Sequence, residues 1–108
     1  MEKTSSGMDE NVAGALAYAL GWITGLVFLL TEPANKFVRF HALQSVIAFG
    51  SLSVLWFVTL SIPLLGWLIA LVLLPPLSLA LWLFLMFKAY QGERFKVPFV
   101  GEIAEREA

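Results

Sequence analysis

Arg39, His41, Gln44 and Ser45 are the residues of this chain whose types and spacing could do chemistry. His41, Gln44 and Ser45 stand at i, i+3 and i+4, so a helix presents all three on one face, with Arg39 just before them. An imidazole with an ordinary pKa of about 6.5 changes charge within the physiological range. A polar pocket built on it at the cytoplasmic mouth of a membrane segment could gate or relay a proton. The plainer reading makes Arg39 and His41 interfacial anchors and bonds Gln44 to a backbone carbonyl. Either way, four polar groups entering an apolar segment each need a headgroup, another helix or water.

Other chemistries find little to stand on. One histidine and no acidic residue inside the apolar segments leave no metal site. Ser45, Ser51, Ser53, Ser61 and Ser78 have no general base at readable spacing except His41 beside Ser45, and nothing orients that imidazole. The absence of cysteine removes disulfides, thiol catalysis and thiolate ligands together. No enzyme activity and no cofactor are expected.

The elements that must position these residues are membrane elements. From Ala42 to Phe87 the chain runs 46 residues without Asp, Glu, Lys, Arg or His. As helix that is about twice the ~30 Å hydrocarbon core of a bilayer. A further uncharged stretch, Asn11 to Thr31, lies between Glu10 and Glu32. These lengths predict an all-α integral membrane three-helix bundle in residues 11–101, with spans of about 12–30, 42–61 and 65–87, the third kinked at Pro75-Pro76. Two adjacent prolines remove two amide donors and strand the carbonyls of Leu71 and Val72, for which Thr59, Ser61 or Ser78 could supply hydroxyls. Such a break can be a plain kink or a functional hinge, as in transport proteins. Gly21 and Gly25 form a small-xxx-small pair, suited to close helix packing within the bundle or to a homodimer seam. Residues 1–10 read as a disordered tail and 102–108 as a polar cytoplasmic tail.

Charge sets the orientation. With three spans, Lys3 stands alone on one side while Lys36, Arg39, Lys88, Arg94, Lys96 and Arg106 share the other, six against one. That predicts a multi-pass protein of the cell membrane, N-terminus outside and C-terminus in the cytoplasm. The formal net charge of -1 argues against nucleic acid as a partner. The bilayer is the expected partner, joined by a second copy or another membrane protein. Phe95, Val97, Phe99 and Val100 are too apolar for a free tail and should fold back onto the membrane surface or the first loop.

Phe37-Val38-Arg39-Phe40-His41-Ala42-Leu43-Gln44-Ser45, followed by a pair of spans and then Ala89-Tyr90-Gln91-Gly92-Glu93 and Val97-Pro98, resembles the Tic-twenty-like family of small membrane proteins. The closer likeness is to its prokaryotic, uncharacterised-domain branch, over roughly Val12 to Gly101. The resemblance implies an all-helical membrane fold and, through the plastid members, a part in protein translocation. Those members have four spans, against three counted here, and no catalytic residue carries over. The function expected is therefore a small non-enzymatic membrane component acting through helix contacts, as an accessory or translocation subunit. The alternative is a small transporter or proton-linked conduit using His41, Gln44 and the proline break.

Overall fold

The computed structural model describes residues 3–5 and 7–108, and its regular elements are helices apart from one isolated bridge between Lys3 and Asp9. Met1, Glu2 and Ser6, part of the tail expected over 1–10, lie outside the described residues. The rest of that stretch forms a turn in which the Thr4 amide donates to the Met8 carbonyl at 2.7 Å and Lys3 pairs with Asp9 at 2.6 Å.

The span expected over 12–30 is not one helix. α1 (Glu10–Leu16) and α2 (Trp22–Thr31) flank a turn through Ala17–Gly21. Gly21, at φ 64 and ψ -135, explains the break, because side chains with a Cβ are nearly excluded from that conformation. Beyond the turn the chain doubles back. Asn35 Nδ2 donates to Glu10 Oε2 at 3.2 Å, and the Ser5 amide and hydroxyl both donate to Glu32 Oε1, at 2.8 and 2.7 Å. The start of α1 and the end of α2 therefore lie side by side, and the two helices make a hairpin with its tip at Ala17–Gly21.

α3 (Lys36–Leu60) starts at an Asn35 cap, whose side chain accepts from the Val38 amide at 3.0 Å, and at 25 residues runs about 37 Å. The chain reverses at Ser61–Leu64 and returns as α4 (Leu65–Leu68), a π-helical turn (Ile69–Leu73) and α5 (Leu74–Tyr90), which together form one continuous rod. The reversal is tight, since a Cβ on Gly66 would run into the Thr59 carbonyl. α3 and the α4–α5 rod are the two helices long and apolar enough to cross a membrane.

At Pro75-Pro76 the rod continues: both prolines occupy the first turn of α5, where a missing amide is tolerated, and a π turn stands just before them. The Thr59 and Ser61 hydroxyls donate back to Leu55 and Phe57 carbonyls of α3, at 3.0 and 2.8 Å. Ser78 accepts from Trp56 Nε1 at 3.1 Å.

The hairpin packs into the rods at one end: α1 against α5 and α3, α2 against α3. Ala15, Tyr18, Phe49, Leu85 and Ala89 form the larger buried cluster there, with Trp82 and Val97 at its edge. α6 (Val100–Glu107), where a polar tail is expected, lies against α3, with Lys96 paired to Glu105 at 2.6 Å. Asn11 Nδ2 reaches the Tyr90 carbonyl at 2.9 Å, tying the N-terminal segment to the end of α5. Both ends of the chain therefore lie at the same end of the molecule, whereas three straight spans would put them at opposite ends. The cause is the Gly21 turn, at which the chain doubles back.

Candidate functional site: a buried polar cluster

α3 brings His41, Gln44 and Ser45 to one inward face, each almost wholly buried, with Ala48 on the same stripe. The turn after α1 adds Tyr18, also fully buried. The segment after α5 adds only backbone, passing over the top of these side chains as Glu93 to Val97.

The donors and acceptors form a directed chain. His41 Nε2 lies 2.9 Å from the Glu93 carbonyl, which can only accept, so Nε2 carries the proton and Nδ1 is the acceptor. Tyr18 Oη donates to that Nδ1 at 2.7 Å and itself accepts from Gln44 Nε2 at 2.9 Å. The second Gln44 N–H donates to the Phe95 carbonyl at 2.8 Å, and Gln44 Oε1 accepts from the Val97 amide at 2.8 Å. Three aromatic rings, Tyr18, Phe37 and Phe40, stand edge-on to the imidazole at centroid distances of 5.5, 4.6 and 5.0 Å.

Ser45 works at the hairpin tip. Its hydroxyl donates to the Gly21 carbonyl at 2.8 Å. Trp82 Nε1 donates to the Tyr18 carbonyl at 2.8 Å and reaches that of Ala19 at 3.2 Å, while the Thr24 hydroxyl donates to the Ala17 carbonyl at 3.1 Å. Unwound backbone in hydrocarbon leaves polar groups that cost several kcal/mol each if unmet. Here side chains from three helices meet them.

Arg39 stands apart from this cluster. Its Nε donates to the Glu107 carbonyl at 3.3 Å, on the outer side of α3. Gly21 and Gly25 also divide. Gly21 makes the turn, whereas Gly25 is a contact point of α2 on α3, where a Cβ would lie 2.9 Å from both the Ala42 carbonyl and Ser45 Cβ. Sequence reasoning missed Tyr18, Trp82 and the Glu93–Val97 backbone. Tyr18 had one visible mark, as the phenol lying within an uncharged stretch. Outside the membrane elements, the Lys3 ammonium beside Asp9 holds that carboxyl below its ordinary range.

Among the described residues every buried side-chain nitrogen and oxygen has a hydrogen-bond partner, and no three His, Cys, Asp or Glu side chains group to hold a metal ion. The cluster is thus a closed structural network that joins hairpin, α3 and C-terminal segment.

Residues 8–104 match the model of the MamF/MmsF family, described as the Magnetosome magnetite crystal formation protein family. This chain belongs to that family. It is 49% identical to a UPF0132 membrane protein of Methanocaldococcus jannaschii over 106 residues, 98% of this chain and 94% of the relative. A second protein of that name from the same organism is 48% identical over 93% of this chain and 71% of its own length, and one from Archaeoglobus fulgidus is 48% identical over 93% and 96%. No solved structure matches the chain. The family assignment overturns the resemblance to the Tic-twenty-like family.

Proposed function

We propose that this member of the MamF/MmsF family is a non-enzymatic, multi-pass protein of the cell membrane. It crosses twice, through α3 and the α4–α5 rod, dips in once through the α1–α2 hairpin, and keeps both ends in the cytoplasm. It acts through helix contacts with lipid and with membrane protein partners. The orientation follows from charge: all seven Lys and Arg residues lie in the segments gathered at one end, while the Ser61–Leu64 reversal at the other carries none. An excess of that kind marks the cytoplasmic side.

The observation that carries the non-catalytic reading is the closed hydrogen-bond network. Gln44, Tyr18 and His41 form a chain that ends on a backbone carbonyl, so the proton on His41 Nε2 has a fixed acceptor and no onward path. The continuity of the α4–α5 rod through Pro75 and Pro76 favours this reading over a conduit that uses a proline break. The test is flux. Purified protein in proteoliposomes should pass protons no faster than protein-free vesicles at any pH between about 5 and 8, the range around the histidine pKa. A flux above that baseline which His41→Gln abolishes would overturn the reading.

A further inference from the structure

The molecule is much wider at its charged end than at the other. Nine of the ten buried residues of α3 fall between Phe37 and Phe49, leaving Thr59 alone beyond them. In α5, Leu85 and Ala89 are buried at the charged end and Leu74 near the middle. The far half is a bare helical pair: Phe57 is 74% exposed, Leu64 79% and Leu71 68%. The hairpin tip sets the boundary. Ser45 lies nine residues into α3 and Trp82 eight residues before the end of α5, so both hold the tip about 12–14 Å from the charged end, less than half way through a hydrocarbon core of ~30 Å. One leaflet thus accommodates four helices of roughly 10 Å diameter, and the other two. α6 and the exposed Phe95, Phe99 and Ile103 add width at the headgroup level of the wider side.

Lipid chains cover the narrow half. The groove just beyond the hairpin tip, about 340 Å³, is lined by Phe49, Trp56, Pro75, Ser78, Leu79 and Trp82, and its polar atoms are taken up within the molecule. The small-xxx-small pair of that half, Gly66 and Ala70, is spent inside the helical pair, where both residues are buried.

We propose that this shape makes the protein a curvature-selective wedge, which partitions to and stabilises membrane that is convex on its charged side. The inference rests on the hairpin topology proposed above. A single-leaflet insertion expands that leaflet alone, and a bilayer relieves the mismatch by bending away from the narrow end.

The full chain, labelled with a fluorophore through Ser61→Cys, is reconstituted into phosphatidylcholine and phosphatidylglycerol vesicles ranging from small sonicated to large extruded sizes. Label per unit area is read vesicle by vesicle, and external trypsin reports which end faces out. The expected result is a several-fold higher density on the smallest vesicles, with Lys3 and the Arg94–Arg106 sites of those molecules cut together. Equal density at all diameters overturns the wedge while leaving the topology intact. Two-step photobleaching throughout also overturns it, because paired copies would fill each other's narrow half. Cleavage at Arg94–Arg106 with Lys3 spared shows instead that the hairpin reading has failed.

Discussion

Gln44 ties two segments to α3, because its one amide reaches three partners. It donates to Tyr18 Oη and the Phe95 carbonyl and accepts from the Val97 amide. Gln44→Leu fills the same space and removes three hydrogen bonds, to Tyr18 Oη, the Phe95 carbonyl and the Val97 amide; at about 0.5–1.5 kcal/mol each the loss should be about 2 kcal/mol or more. Tyr18→Phe removes two, and leaves His41 Nδ1 and one Gln44 N–H buried without a partner, at about 1–3 kcal/mol each. In thermal unfolding in detergent, followed by tryptophan fluorescence, both variants should melt below the parent. An unchanged midpoint for Gln44→Leu would show that the network is incidental. The inward face of α3 was legible from i, i+3, i+4 spacing alone. Its partners were not, since Tyr18 lies 23 residues before His41 and Glu93 52 after it, and no local period reports such pairings.

Between elements, hydropathy marks 12–30 as one span, and the structure divides that stretch into two helices at Gly21. Two prolines look the stronger breaker, yet they come just after a π turn that prepares for their missing amides, whereas one glycine among apolar residues turns the chain back. Hydropathy registers the oiliness of 12–30 and is blind to φ, so a returning hairpin and a crossing helix look alike to it. The two glycines should consequently respond differently to substitution. Gly25→Ala adds a methyl 2.9 Å from the Ala42 carbonyl and from Ser45 Cβ, and α2 must lift from α3. Gly21→Ala meets nothing nearer than Phe49 Cβ at 3.5 Å, but places a Cβ at φ 64, ψ -135. The first is a packing defect that smaller neighbours can relieve; the second is backbone strain of about 1–3 kcal/mol that they cannot. Adding Ser45→Gly should therefore recover part of the stability lost in Gly25→Ala and none of that lost in Gly21→Ala. Equal recovery in both backgrounds would refute the division of roles. Ser45→Gly also removes the donor to the Gly21 carbonyl, so each double variant is compared with Ser45→Gly alone.

Over the whole molecule, the hairpin decides parity. Three crossings would put Lys3 across the membrane from the other six basic residues; two crossings and a return put all seven together, a cleaner charge bias from the same sequence. The ties that enforce this are short and polar, from Ser5 to Glu32, Glu10 to Asn35 and Asn11 to the Tyr90 carbonyl. Because the chain has no cysteine, single thiols can be placed at will: Lys3→Cys and Glu102→Cys at the charged end, Ser61→Cys at the reversal, all exposed. In intact cells a membrane-impermeant maleimide should label Ser61→Cys alone, and permeabilisation should expose the other two together. Labelling of Lys3→Cys and Ser61→Cys from the same side would restore a third crossing. It would then require the 12–30 stretch to run straight through Gly21, at the loss of every hydrogen bond that Ser45, Thr24 and Trp82 now make to its turn.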